Sequence, residues 1–306
     1  MTHSHHHHDH SHSHAAPQSF NLAFAVAVSL NLGFTIFQII FAFLANSMSL
    51  MADAIHNFGD VFGLVLAWGA SWLLTLPARK RYSYGFKKTT VLAAITNALI
   101  LVSTTILIAY ESISKFIHPA AVNAPIVIVV ALVGIVINGG TALLFMKGAH
   151  DDLNIKGAFL HLIGDALISI GVVVGGILIF YTHYLWIDPL IGLGIVIMIL
   201  WGTWGLLRDS VGLILDAVPR HINQQEIQEF LQNLPKVQAV HDLHIWGLST
   251  KEVALTAHLI MPGGALSDAD YDRINEVLKD KFKIDHTTIQ VEMGSTDYPC
   301  KRSEIC

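Results

Sequence analysis

The chain has 306 residues, 53% of them hydrophobic and only 13% charged, well below the roughly 25% charged residues of an average soluble domain. Its formal net charge of −5 counts every histidine as neutral, and no basic block marks a nucleic-acid-binding face. Two cysteines, Cys300 and Cys306, both near the end, exclude a disulfide framework as the source of the fold.

Residues 1–14 read MTHSHHHHDHSHSH. Such a segment has nothing to bury, so residues 1–15 are expected to form a disordered His-rich tail that collects metal. A purification tag is the plainer alternative, and the interleaved Ser and Asp argue against it. No signal peptide is expected, because no basic segment leads into a short apolar core.

Residues 20–215 are nearly all apolar. They divide into six predicted spanning helices, at about 20–45, 48–76, 87–114, 124–147, 155–181 and 187–208, each near the ~20 residues a bilayer requires. Asn46-Ser47 closes the first hairpin, and Pro77 ends the second helix. Arg79, Lys80, Arg81, Lys87 and Lys88 follow the second span, Lys147 and Lys156 the fourth, and Arg208 the sixth. The opposite side has little beyond Lys115. Basic loops stay in the cytoplasm, so both termini are expected there.

In the fifth span Gly157, Gly164 and Gly171 recur every seven residues, followed by Gly175 and Gly176. Such a stripe predicts close packing on a neighbouring helix, the second span being the candidate. Gln38, Asn97 and Asn138 also fall within spans, and interhelical hydrogen bonding is the expected role of each.

From about residue 217 the composition turns polar. A helix is predicted over 225–234, strands over 237–248 and 253–261, a helix over 268–282 with Ser267 as N-cap, and a last strand over 287–293. This order predicts a small α+β domain over residues 217–295. It would follow a six-helix transmembrane domain over 16–216 and precede a C-terminal tail, 296–306, that holds the two cysteines.

The chemistry concentrates in a repeated His-x-x-x-Asp. His56 and Asp60 lie in the second span, His161 and Asp165 in the fifth. Residues four apart share a helix face, so each helix presents one imidazole and one carboxylate. Two such helices side by side supply two nitrogens and two oxygens, a tetrahedral set suited to zinc. Ionisable groups at membrane depth mark ion or proton paths. Because histidine titrates near neutral pH, metal binding there is coupled to proton release. The plainer reading is that each pair only hydrogen-bonds neighbouring helices.

Asp53 lies near the same face as His56 and Asp60 and is a candidate for an access path opposite the cytoplasm. A carboxylate favoured by the helix start is the alternative. In the polar domain His241, His258 and His286 lie on three strands that could converge on one ion, with Glu292 too far from His286 to share it. Cys300 and Cys306 form a looser candidate pair, alone or with the His-rich tail.

The stretches SLMADAIHNFGD (49–60), RYSYGFKK (81–88), LNIKGAFLHLIGD (153–165), IDPLIG (187–192), VHDLHIWGLS (240–249) and HTTIQVE (286–292) resemble the cation diffusion facilitator family, in its zinc-transporting branch. The resemblance runs from about residue 21 to 292. It implies a homodimer of six-helix protomers, each with a cytoplasmic ferredoxin-like domain. It also implies zinc efflux by proton antiport with alternating access, and a structural or regulatory zinc besides the transported one. The family's transport site falls on His56, Asp60, His161 and Asp165, and its cytoplasmic site on His241, His258 and His286.

Residues 77–88 contain no His, Asp, Glu or Cys, so a further metal site in that loop is not expected. A passive divalent-cation channel and a non-transporting zinc sensor are the alternatives. Neither a nucleotide-driven pump nor a metalloenzyme is favoured, since a Walker-type loop and a His-Glu-x-x-His are both missing. Compact loops point to a bacterial inner membrane.

Overall fold

A computed structural model describes residues 22–146 and 153–294. The His-rich tail, His150 to Asp152 and both cysteines lie outside the described residues. Six long helices come first: α1 (Leu22–Ala45), α2 (Met48–Leu74), α3 (Thr89–Ile117), α4 (Ala124–Met146), α5 (Leu153–Thr182) and α6 (Ile187–Ile214). All six are long and apolar enough to cross a membrane. Then follow α7 (Gln224–Gln232), β1 (Ala239–Gly247), β2 (Val253–Ile260), α8 (Asp268–Asp280) and β3 (His286–Glu292). The sixth helix runs past the predicted end at residue 208. Arg208 and Asp209 end the apolar stretch but do not break a helix, which stops before Asp216 at φ 54°.

Two compact bodies result. One comprises residues up to 71 with 93–207, the other 72–92 with 208 onward. In the first body, small and branched side chains such as Ala42, Ala52, Ala131 and Val172 fill the space between helices. Large apolar side chains face outward, Trp201 at 85% exposure and Val136 at 72%, as a lipid-facing surface requires.

The start of α2 is fixed from another helix. Asn46 takes a left-handed φ of 54°, which asparagine tolerates, and Ser47 caps α2 by accepting from Leu50 N at 3.2 Å. Asp188 of α6 then accepts from Met48 N at 2.5 Å, Ser47 Oγ at 2.6 Å and Ser49 Oγ at 2.6 Å. Its carboxylate satisfies α2's orphan N–H groups and faces the positive end of the helix dipole. The close approach there needs Gly192, where a Cβ would stand 3.1 Å from the Met48 carbonyl oxygen.

The expected glycine stripe is corrected. A Cβ at Gly157, Gly164 or Gly171 would meet nothing within 4 Å. The tight contacts on α5 are at Gly175, 2.2 Å from Ile191 of α6, and Gly176, 2.8 Å from Ile128 of α4. Sevenfold spacing drifts around a straight helix, so recurrence alone does not place residues against a neighbour.

In the second body three strands form one sheet in the order β1-β2-β3, with β1/β2 antiparallel and β2/β3 parallel. The parallel pair is joined through α8. Ile227 and Leu231 of α7 and Ile274 and Leu278 of α8 are buried in one core with Leu255 and Leu259 of β2. This is the two-layer α+β arrangement expected from the order of the predicted helices and strands. Ser267 and Asp270 close a capping box on α8. The loop between α2 and α3 belongs to this body. Lys87 is ion-paired with Glu252, and Thr250 N donates to Thr90 Oγ1 at 3.1 Å.

Candidate metal centre

His56 and Asp60 are one turn apart on α2, and His161 and Asp165 one turn apart on α5. The fold brings all four together. His56 Nε2 is 3.4 Å from Asp165 Oδ1, and His161 Nε2 is 3.1 Å from Asp60 Oδ2. The two rings meet edge to face at 5.9 Å. His56, Asp60 and Asp165 each offer a ligand atom within 4.8 Å of the others. Asp165 is 6% exposed and His161 24%, so the group is sheltered yet reachable.

With both imidazoles neutral, the cluster holds two carboxylates in a spanning region, where uncompensated charge is costly. A divalent cation neutralises both at once. Two imidazole nitrogens and two carboxylate oxygens suit zinc among the common divalent ions. Packing holds α2 in place behind them. A Cβ at Gly59 would stand 2.1 Å from Leu101 of α3, and one at Gly63 would stand 2.7 Å from Asn97. This glycine pair at fourfold spacing beside the motif was the legible signal that the sequence reading passed over.

Asp53 is buried among the helices. Its residue is 0% exposed. Gln38 of α1 donates to Asp53 Oδ2 at 2.6 Å, and Ser169 of α5 donates to the same oxygen at 3.2 Å. Asn57 in turn donates to Gln38 Oε1 at 3.1 Å. Gln38 therefore makes the interhelical bonds expected of it. Asn138 does not: it is fully buried, and neither of its amide atoms has a hydrogen-bond partner.

A second cluster lies on the sheet. His241 and His258 are direct cross-strand partners, with rings 5.2 Å apart. Glu292 completes the group, 3.1 Å from His241 Nε2 and 2.9 Å from His258 Nδ1. Beside it, Asp242 takes φ 51° in a β-bulge and lies 3.3 Å from His258 Nε2 and 3.0 Å from His244 Nε2.

His286 does not join this cluster, contrary to the sequence expectation. In the parallel pairing of β3 on β2, Gln290 stands opposite His258, while His286 stands opposite Ala254. Four strand residues separate the two positions, roughly 13 Å. The His286 ring lies edge-on to Tyr84 at 5.6 Å instead. Glu292 takes the third place because the register brings the strand's far end to His258.

Residues 24–215 match the family profile described as the cation efflux transmembrane domain, and residues 219–293 the one described as the cation efflux protein, cytoplasmic domain. The metal cation efflux system protein CzcD of Cupriavidus metallidurans is 32% identical over 272 residues, covering 89% of this chain and 85% of that protein. The zinc transporter ZitB of Escherichia coli is 32% identical over 262 residues, covering 85% and 83%. A cadmium, cobalt and zinc/H(+)-K(+) antiporter of Bacillus subtilis is 31% identical over 265 residues, covering 85% of each. With both domains matched and relatives aligned over most of its length, the chain belongs to the cation diffusion facilitator family of multi-pass membrane cation-efflux transporters.

Proposed function

We propose that this chain moves zinc out of the cytosol in exchange for protons, with the ion in transit held by His56, Asp60, His161 and Asp165. The observation that carries the reading is the convergence of one imidazole and one carboxylate from each of α2 and α5 on a single point. The relatives named as zinc transporters support the choice of metal.

The exchange follows from the ligands. Zinc binds neutral imidazole, so protons compete with it for the same nitrogens. At least one of the two histidines carries a proton on the return, while Asp60 and Asp165 supply the negative charge that draws the cation. Alternating access requires α2 and α5 to shift so that the site faces one side at a time. Cadmium and cobalt are secondary candidates, because a relative named for them is 31% identical over 85% of each chain.

His241, His258 and Glu292 are the candidate holders of a resident zinc in the cytoplasmic domain. Such an ion would tie β1, β2 and β3 together and stabilise one arrangement of a homodimer. The basic α2–α3 loop supports a cytoplasmic position for both termini, and bacterial relatives support a bacterial inner membrane.

Zinc flux into proteoliposomes, with and without an imposed pH gradient, tests the reading. Flux that rises with acid on the trans side and vanishes in Asp60→Ala supports exchange through this site. Flux indifferent to the gradient indicates a channel, and zinc binding without flux a sensor.

A further inference from the structure

We infer that Asp242 is a positioning residue for the cytoplasmic cluster: a bulge in β1 turns its carboxylate onto His258 and so fixes which ring nitrogen is left to a metal. The inference rests on the reading of His241, His258 and Glu292 as holders of a resident zinc. It adds a residue that acts through one of them.

The strand pairing shows what the bulge does. His241 stands opposite His258, but His244 stands opposite Thr256, so β1 carries one residue more than β2 over this stretch. In an unbroken ladder, position 242 would pair with Ala257 and point into the core, where Ala257 is 0% exposed beside Leu255 and Leu259. A carboxylate there would lose its water and find no partner. The extra residue, with Asp242 at φ 51°, re-aims the side chain instead. It also sets His241 and His244 on one face of the sheet, since their partners His258 and Thr256 are two apart on β2.

Each oxygen of Asp242 then has its own imidazole. Oδ1 accepts from His244 Nε2 at 3.0 Å, and Oδ2 lies 3.3 Å from His258 Nε2. The other ring nitrogen of His258, Nδ1, is buried 2.9 Å from Glu292 Oε1 and makes no hydrogen bond. A buried nitrogen and a carboxylate oxygen side by side, with no hydrogen bond between them, suit a shared cation. Two imidazoles and a carboxylate are donors that zinc accepts.

A neutral imidazole has one N–H and one lone pair. With its Nε2–H donated to Asp242, His258 keeps the lone pair on Nδ1, toward Glu292. A carboxylate behind a ligating histidine fixes the tautomer and the ring orientation and makes the ligating nitrogen a better donor. Asp242 is itself buried, so water does not compete for Oδ2, and His244 holds the carboxylate from its far side. Position 242 thus asks two things of its residue. The backbone must tolerate a left-handed φ, which aspartate and glycine both do, and the side chain must offer an acceptor, which glycine does not.

Zinc titration of the full-length protein in detergent, in an Asp60→Asn background that silences the transport site, separates the two. Asp242→Gly keeps the backbone at ease and removes the carboxylate, and zinc affinity at the cytoplasmic cluster is expected to fall about 10–100-fold. Asp242→Asn keeps an acceptor oxygen and is expected to recover most of that loss. With cobalt(II) in place of zinc, proton NMR is expected to show a hyperfine-shifted, solvent-exchangeable N–H signal from His258. That signal should be missing in His258→Ala and lost to exchange in Asp242→Gly. Undiminished affinity in Asp242→Gly, or affinity in Asp242→Asn as low as in Asp242→Gly, overturns the inference. The cobalt signal in the Asp60→Asn protein decides by itself if Asp242→Gly folds poorly, and its absence there also overturns the inference. Zinc binding by the Asp60→Asn protein that Glu292→Ala leaves unchanged overturns the resident-zinc reading, and the inference with it.

Discussion

His161 lies closer to Asp60 on the other helix, at 3.1 Å, than to Asp165 on its own, at 3.6 Å. His56 repeats the relationship, 3.4 Å to Asp165 against 3.8 Å to Asp60. Each imidazole is thus paired across the α2–α5 boundary, and neither His-x-x-x-Asp motif is a self-contained unit. Losing one carboxylate should therefore disable both halves. Loss of an outer partner alone typically costs ~10–100-fold in metal affinity, so Asp60→Asn and Asp165→Asn are each expected to lower zinc affinity at this site by more than about 100-fold. Equilibrium zinc titration of each variant checks this, and a variant that keeps wild-type affinity removes that residue from the site.

Asp188→Ala should destabilise the membrane body without touching the metal-binding group. It strips the α2 start of its acceptor and leaves Met48 N and two serine hydroxyls buried. Unsatisfied buried donors cost about 1–3 kcal/mol each, in part recovered by local rearrangement. A drop of several degrees in the thermal midpoint in detergent is expected, with zinc affinity retained by whatever fraction stays folded. An unchanged midpoint would mean that water replaces the carboxylate.

The cytoplasmic cluster separates two neighbours on β3. In an Asp60→Asn background that silences the transport site, Glu292→Ala should abolish zinc binding by the second site, and His286→Ala should leave it intact. Calorimetric titration distinguishes them. Loss of binding in His286→Ala would restore the sequence-based trio and contradict the strand register.

Asp270 offers a pH test in the α8 capping box. Its carboxylate is held below the usual range by the hydrogen bond from the Ser267 backbone N–H, and next by the Ser267 hydroxyl. A depressed value in the folded state means that the contribution is present above the ordinary carboxylate range and is lost as pH falls through the folded value. Amide protection in the first turn of α8, taken relative to the intrinsic exchange rate at each pH, is expected to fall on acidification, and Asp270→Asn to remove that pH dependence.

Much of this molecule is written locally. Six apolar stretches of bilayer length set six helices, because inside a bilayer a chain must satisfy its backbone within each segment. The fourfold spacing of His56/Asp60 and of His161/Asp165 sets each pair on one face, since helical periodicity needs no knowledge of the rest of the chain. The strands of the polar domain likewise follow from alternation.

What the tertiary structure decided is how those faces are rotated and in what register they meet. The cross-helix pairing of His161 with Asp60 depends on the relative rotation of α2 and α5. The exchange of His286 for Glu292 depends on parallel pairing between strands separated by α8, where a shift along the strand changes every neighbour. Asp53 joined to Gln38 and Ser169, and Asp188 joined to the start of α2, bring together residues from 15 to 141 positions apart. Such contacts arise from burying polar groups that must find partners wherever packing brings them, and local periodicity carries no record of that choice.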